Sequence, residues 1–333
     1  MVGGGYRTRL TAQAAISLGI GFRVLAEAPD DSAAQVAPSA GTVIGDYRSA
    51  DDLLAFAAGC EIVTVKPEDV PADLLAKLEA QVAVRPSPAT LRLVRDKAAL
   101  GEWLNSLGAA ADLSGLRSAA DRELAVIAAR SPEGQGVTYP VTLMVRRDGQ
   151  RREGQRREFI APAPGLDPAL TVEAQRLALK IAAELTLTGL LTVELAESGG
   201  KLTITDLAVT PHDSGLWTID AAVTSQFEQN LRAVLDLPFG TPGALAAHAV
   251  TVTVAGGDDP DVFTRFVHVM AADPGARVHI YTNQVSQIGP GRRLGHVTVA
   301  GDDLEGLRDR AWRAANYLGL GTEDPSEDQR PTS

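Results

Sequence analysis

Three consecutive glycines, Gly3-Gly4-Gly5, stand two residues into the chain and directly before a segment of helical spacing, Arg7 to Leu18. Beyond them, extended apolar runs and helical runs take turns. Phe22 to Ala26 precedes a helix over Asp51 to Ala58, Ile62 to Val65 a helix over Ala72 to Leu78, and Val82 to Val84 a helix from Ala89 to Leu107. Strands separated by helices pair in parallel, because each crossover helix returns the chain to the same end of the sheet. Residues 1–107 are therefore predicted to form a small doubly wound α/β domain. The glycines then lie between a strand and a helix N-terminus, where outward N–H groups and the helix dipole favour an anion. Glycines also serve merely to pack helix on sheet, and both roles stay open. Glu27 falls near the end of the second strand, where a ribose-binding acid would stand. The first strand contains only Met1 and Val2, against the roughly five residues of an ordinary strand. The expectation is a start further upstream, with apolar, β-branched residues missing.

A chain of 333 residues can bury two or three domain-sized cores. Its 45% hydrophobic and 22% charged residues exclude general disorder, apart from a polar tail over 321–333. A net charge of −11 argues against a nucleic-acid binder, which needs a clustered basic face. The local cluster Arg151, Arg152, Arg156 and Arg157 is either a polar hairpin or an anion site. The single cysteine, Cys60, cannot form an intrachain disulfide, which fits a reducing cytoplasm. Leu10 to Phe22 loosely imitates a secretory signal, but Gln13, Ser17, Gly19 and Gly21 dilute it. No run of about twenty apolar residues offers a membrane span.

The second region opens with an apolar strand from Glu123 to Ala129, which Val137 to Val145 could pair with across Ser131-Pro132-Glu133-Gly134. Thr171 can cap a helix bearing Ala174, Leu177, Ile181 and Leu185 on one face. Leu190 to Leu195 and Leu202 to Leu207 flank the turn Ser198-Gly199-Gly200, and Ser225 to Leu235 reads as a helix. From Ala247 the pattern changes to short strands, followed by a closing helix that Asp302 and Glu305 would cap. That predicts a small C-terminal β-rich unit over 246–320.

The hairpin carries the first chemical signal. With its turn near Gly200, Glu194 and Asp206 stand roughly opposite each other, and like charges so placed repel. Magnesium, which takes a pair of carboxylates with phosphate and water oxygens, would remove that repulsion. Two solvated carboxylates on a wet face remain the alternative. Just beyond lies Pro211-His212-Asp213-Ser214-Gly215-Leu216-Trp217, then Thr218-Ile219-Asp220 and Thr224-Ser225-Gln226-Phe227-Glu228-Gln229. Ser214 and Gly215 could offer N–H groups to an anion and His212 could donate or shuttle a proton, or the histidine could be satisfied within a structural turn.

Taken with Arg9-Leu10, Ala33-Ala34-Gln35-Val36-Ala37, Gly45-Asp46-Tyr47, Arg85-Pro86-Ser87-Pro88, Arg122-Glu123-Leu124, Tyr139-Pro140-Val141, Ile160-Ala161-Pro162-Ala163, Pro290-Gly291-Arg292 and Gly295-His296-Val297, these segments are collinear over nearly the whole chain. In that order they resemble the N5-carboxyaminoimidazole ribonucleotide synthases, the PurK family of ATP-grasp enzymes in purine biosynthesis. The resemblance implies a pre-ATP-grasp domain over 1–107, an ATP-grasp α+β core over 123–245 and a C-terminal domain over 246–320. It implies a reaction in which Mg-ATP phosphorylates bicarbonate and the carboxyl group passes to the amine of aminoimidazole ribonucleotide. It would put metal ligands at Glu194 and Asp206, an ATP contact at Lys97, and ribonucleotide contacts at Gly4, Gly5, Glu68, His212 and Ser214. Arg292 and Arg293 would meet phosphate, with His212 and Arg292 the catalytic pair.

The largest departure from the family lies in one region. A central lid of about 60 residues, the size of a small domain, has no counterpart between Leu107 and Glu123, so residues 108–122 form a seam. The family's arginine before the Pro-His run is Thr210, its second histidine Leu216, and an asparagine after Tyr-Pro-Val falls near Met144. A family glutamate is Lys66, a late lysine is Asn283, and the glutamine and glycine of the first loop are Tyr6 and Thr8. Phosphoryl transfer depends on positioning and on cations facing the moving charge. The sequence therefore predicts a truncated ATP-grasp core and a degenerate homologue with weak or no ATP-dependent turnover. Its cofactors would be Mg²⁺ and ATP if it is active and none otherwise, and its partners a small-molecule ribonucleotide and a second copy in a homodimer. A non-catalytic ribonucleotide-binding scaffold or regulator is the alternative, and a nicotinamide dehydrogenase explains neither the hairpin acids nor the Pro-His run.

Overall fold

The computed structural model describes residues 1–37, 41–65, 70–114, 120–146 and 157–322. Its first unit contains α1 (Tyr6–Ser17), β1 (Val24–Ala26), β2 (Thr42–Ile44), α2 (Ala50–Ala57), β3 (Ile62–Val63), α3 (Ala72–Glu79), β4 (Ala83–Val84), α4 (Pro88–Arg95) and α5 (Lys97–Ser106). As the alternation predicts, β1 pairs β2 and β3 pairs β4 in parallel. Val2 lies between the two pairs: it forms a parallel bridge with Leu25, and its N–H donates to the Thr64 carbonyl at 2.9 Å. One correction concerns the last helix, expected as a single run from Ala89 to Leu107. Asp96 breaks it, taking up extended backbone and accepting from the N–H groups of Ala98 and Ala99, so that it caps α5 instead of continuing α4.

The remainder of the described chain is organised around one sheet. It contains β5 (Arg122–Arg130), β6 (Gly136–Thr138), β7 (Thr142–Arg146), β8 (Arg157–Ala161), α6 (Pro168–Glu184), β9 (Gly189–Ser198), β10 (Lys201–Ala208), α7 (Thr218–Ala221) and α8 (Gln226–Val234). Then follow β11 (His248–Ala255), α9 (Val262–Ala272), β12 (Arg277–Ile280), β13 (Arg293–Gly301) and α10 (Leu304–Leu320). Strand order is β10-β9-β5-β7-β8-β11-β13-β12, antiparallel throughout, with β6 paired to β5. The C-terminal strands are thus joined to the central ones through the β8–β11 pairing. The expected β-rich end also carries α9, whose buried Val262 and Val269 pack with Trp312 and Leu318 of α10 over Val252, Val254 and Val297.

Caps explain two shifted boundaries. Asp167, not Thr171, caps α6: its carboxylate accepts from Ala169 N at 2.6 Å, and Pro168 fills the first helical position, where no N–H is needed. Asp303, not Asp302, caps α10 by accepting from Gly306 N. A single core runs from the first unit into the sheet, joining Phe56, Leu75, Leu91 and Leu104 to Val126, Ile181 and Val193. Among the described residues no helix is long and apolar enough to cross a membrane.

At the far side of the sheet α10 packs on β11 through Gly319, where an added Cβ would lie 2.3 Å from the Ala255 carbonyl oxygen. That neighbour is backbone within a strand and cannot swing aside. Gly319→Ala is expected to destabilise by about 1–3 kcal/mol, as overpacking does, seen as a lowered midpoint in urea unfolding with the slope unchanged.

Candidate active site

The hairpin acids meet because the strand carries a bulge. Pairing starts at Ser198↔Lys201, and strict alternation from Ile204↔Leu195 would set Thr205 against Glu194 and drive Asp206 toward the core. The register shifts between Ile204 and Asp206, which brings Asp206 opposite Glu194 and returns Leu207 to the core beside Val193. Glu194 is buried and Asp206 half-exposed. Lys97, at the start of α5, reaches across from the first unit and forms an ion pair with Asp206. The candidate metal ligands and the candidate ATP contact are therefore in one place.

His212 joins them. The His212 backbone is held from both sides by the buried Gln226, which donates to its carbonyl at 2.6 Å and accepts from its N–H at 3.0 Å. Its ring Nδ1 takes the Ser214 hydroxyl at 2.9 Å and the Ser214 N–H at 3.3 Å. An acceptor Nδ1 puts the proton on Nε2, which points at Glu194 Oε1 at 3.3 Å. Ser214 therefore serves here to set the imidazole. The tight turn over Asp213–Gly215 needs a glycine: a Cβ on Gly215 would lie 2.5 Å from Ile127 Cδ1 and 2.6 Å from Gln226.

Next to His212 stands the most strongly held group in the molecule. Asp213 accepts from the Tyr6 hydroxyl, from Arg7 Nη2 at 3.0 Å and from Arg293 Nη1 at 2.7 Å. Burial works against its charge, but Arg7 and Arg293, then His212 and the Tyr6 hydroxyl, hold its pKa well below the usual carboxylate range. The same charge acts on its partners. Burial and the Asp213 charge push Tyr6 up to about 12, and Arg293 is held protonated against burial by Asp213 and Tyr6. Two guanidinium groups face one carboxylate, and the Nε atoms of Arg7 and Arg293 are buried with no hydrogen-bond partner among the described residues. Arg157, at the start of β8, is drawn into the same field; burial and Arg146 lower its pKa while Asp213 and Glu194 raise it. The sequence names Tyr6 only as a departure and Asp213 only within its run, and proposes neither them nor Arg7 as site residues, because their partners lie some two hundred positions apart and nothing in local spacing couples them.

A cavity of about 310 Å³ opens beside this cluster, lined by Gly3, Gly4, Gly5, Tyr6, Arg7, Glu27, Tyr47, Thr210 and Pro211 among others. Gly3 has a φ of 97°, which turns the loop backbone in a way open mainly to glycine. Gly5 faces open space, as a ligand-binding loop requires, whereas Gly4 is a packing glycine: its Cβ would lie 2.2 Å from Asp31 Oδ2. Glu27 is paired to Arg48 at 3.1 Å. A second recess of about 250 Å³ has Tyr6, Ser32, Tyr281, Arg292 and Arg293 in its wall. The two adjacent arginines thus part: Arg293 turns inward to Asp213, while Arg292 is exposed on the rim. Glu68, Lys66, Arg151, Arg152, Arg156 and the tail from 323 lie outside the described residues.

A glycine loop on a parallel-sheet unit, set against a hairpin with opposed acids, defines the ATP-grasp class of ligase architecture. Comparison with known proteins agrees at each unit. Residues 1–95 match the ribonucleotide synthetase preATP-grasp domain, residues 117–227 the ATP-grasp domain, and residues 250–310 the phosphoribosylaminoimidazole carboxylase C-terminal domain. The chain is 38% identical to N5-carboxyaminoimidazole ribonucleotide synthase of Mycobacterium tuberculosis, covering 96% of this chain and 87% of that protein. That alignment runs over 385 residues, more than the 333 present here, so the relative carries insertions that this chain lacks. The solved Thermus thermophilus synthetase superposes with a TM-score of 0.83 at 27% identity, covering 100% of both chains. An Aspergillus clavatus synthase solved with ADP and 5-aminoimidazole ribonucleotide gives 0.84 at 23% identity, covering 95% of this chain and 98% of that one, and speaks to the fold alone. The chain belongs to the N5-carboxyaminoimidazole ribonucleotide synthase family.

Asp213→Asn is expected to cost about 3–5 kcal/mol at neutral pH, because it leaves two guanidinium groups without their counter-charge. Since the native pKa is depressed, this advantage of the wild type is fully present above the unfolded carboxylate value of about 3.9 and shrinks as pH falls below it toward the native value. Urea unfolding of both proteins between pH 7 and pH 3 measures it; a difference that stays constant across that range would contradict the assignment.

Proposed function

We propose that this protein binds a phosphorylated aminoimidazole ribonucleoside in the cavity under the glycine loop and turns over Mg-ATP weakly or not at all. Support for the ligand comes from the cavity's composition. An open glycine loop at the N-terminus of α1, an acid at Glu27, and Arg7 in the wall, with Arg293 behind it on the Asp213 cluster, would offer a ribonucleotide its phosphate, ribose and base contacts. His212, Ser214, Arg293 and Gly5 are the residues proposed to meet or orient it, with Arg292 at the rim.

The observation that carries the second half is the connection between α5 and β5. These elements are consecutive and joined only by residues 107–121, of which Ala110 and Asp112 hydrogen-bond along the outer edge of β10 at Ile204. A lobe able to close over a triphosphate cannot be built from that length of chain. Each lost clamp on a developing charge costs about 10²–10³-fold in rate, and losses of this kind multiply.

The acids themselves fit magnesium. Glu194 has one oxygen toward His212 and Asp206 one toward Lys97, and the donor set is oxygen from two carboxylates, to which phosphate and water would add the rest. Glu194 and Asp206 would hold the ion, which when bound would offset phosphate charge. His212, through its Nε2 proton, would keep the Glu194 carboxylate turned. This retained geometry favours a second reading, a working synthase whose lid is supplied by another subunit. A cytoplasmic homodimer is part of both proposals, and analytical ultracentrifugation of the purified chain tests the dimer.

With Mg-ATP, bicarbonate and aminoimidazole ribonucleotide present, ADP release by the purified protein is expected to stay near background and to be the same in Glu194→Gln. The ribonucleotide alone at saturating concentration is expected to raise the melting temperature by several degrees, about 2.7 kcal/mol of stabilisation at a hundred times Kd, whereas Mg-ATP leaves it unchanged. ADP release that Glu194→Gln abolishes would establish the working synthase instead. No shift with the ribonucleotide would sink the binding proposal.

A further inference from the structure

Tyr281 stacks on Tyr6 with ring centroids 4.5 Å apart and bonds His296, which belongs to a cluster that neither the proposed ribonucleotide cavity nor the hairpin acids account for. The β12–β13 register sets His279 directly opposite His296, and the rings stack with centroids 4.5 Å apart and planes within 11°. Gly295 permits this approach, since a Cβ there would lie 2.0 Å from the His279 carbonyl oxygen. Asp220, from α7, reaches across and places Oδ2 2.7 Å from His279 Nε2. One ligand-capable atom from each of the three residues lies within 4.8 Å of the others.

We propose that Asp220, His279 and His296 bind one divalent transition-metal ion of the zinc class, tying the C-terminal strands to the α7 segment.

His296 is the residue that points to a ligand. It is completely buried, its Nδ1 is engaged by the Tyr281 hydroxyl at 2.6 Å, and its Nε2 has no hydrogen-bond partner among the described residues. A buried ring nitrogen left unpaired is uncommon in native proteins. An imidazole with one nitrogen fixed by an oxygen and the other free is how metal-binding histidines are held, because the outer partner sets the tautomer and the ring orientation. Burial, then the neighbouring His279, keeps His296 neutral, the form that ligates. Two nitrogens and a single carboxylate suit zinc, cobalt or nickel and do not suit magnesium or calcium, which require oxygen donors. On binding, the His279–Asp220 hydrogen bond would give way as both groups turn one donor atom to the ion.

Chelator-stripped full-length protein titrated with Co²⁺ is expected to bind one equivalent with the visible absorption of a four- or five-coordinate nitrogen and oxygen site, displaced by Zn²⁺. Asp220→Asn and His279→Ala are each expected to weaken Co²⁺ binding at least tenfold with far-ultraviolet circular dichroism unchanged, while Glu194→Gln leaves it intact. Zn²⁺ should raise the melting temperature of the wild type and not that of Asp220→Asn. Absence of a stoichiometric Co²⁺ site in the wild type, or a site that survives both substitutions, overturns the proposal. Because Asp220 is only partly buried, its asparagine variant keeps the test valid even if His296 cannot be replaced without unfolding.

Discussion

One buried carboxylate holds the three parts of this chain in register. Asp213 belongs to the central unit, Tyr6 and Arg7 to the first and Arg293 to the last, and all three side chains converge on its two oxygens. A lone carboxylate at that depth would take up a proton, since desolvation opposes its charge. Two guanidinium groups and a phenol reverse the balance, so each unit supplies what another would lack. The arrangement also sets the character of the adjoining cavity. Two cations against one anion leave buried N–H donors on Arg7 and Arg293, and of these Arg7 shares the cavity wall with the glycine loop.

Cohesion of this kind explains how opposed acids survive a few residues away. Glu194 and Asp206 repel each other across the hairpin, yet each is offset by a side chain from elsewhere, His212 for Glu194 and Lys97 for Asp206. His212 is itself fixed by Gln226 and Ser214, and its neighbour Asp213 anchors the turn to the flanking units. The position of the imidazole relative to Glu194 thus depends on contacts made far from the hairpin. A change at Tyr6 or Arg293 would be felt at the acids without touching them.

Periodicity made the scaffold legible: strand-helix alternation predicted the parallel unit, and the spacing about Gly200 predicted that Glu194 and Asp206 oppose each other. Counting from the turn leaves that pair one residue out of register, and the bulge at Thr205 makes up the difference. Local chemistry that competes with spacing was harder to read. Asp96 interrupts an apolar pattern that continues through it, and Asp167 and Asp303 take caps that Thr171 and Asp302 offered equally well on paper. Long-range pairing was not legible at all. Asp213 looked like one polar residue of a dense turn, and nothing in the order Arg292-Arg293 tells which arginine turns inward. His279 and His296 become neighbours only through the register of β12 on β13, and Gly295, the residue that allows their approach, reads in isolation as one more loop glycine.

The short connection between α5 and β5 raises a physical question of its own, because the strand beside it ends the large sheet. β10 stands at the edge of the large sheet, where unpaired N–H and C=O groups invite association with other chains. Here the connection itself protects that edge. Ile204 N donates to the Ala110 carbonyl and Asp112 N to the Ile204 carbonyl, both at 2.8 Å. Ala109, Ala111 and Leu113 pack against the core shared by the first unit and the sheet. Among its described residues the seam is therefore paired to β10 at Ile204 and lays three partly buried apolar side chains on that core. On the proposed reading the folded part needs no further lobe for its stability, whereas chemistry at Glu194 and Asp206 would still need something to close over them. Folding is in this way separable from closure over the acids, and the glycine-loop cavity, with Tyr6 and Arg7 of the Asp213 cluster in its wall, is lined by residues outside the connection.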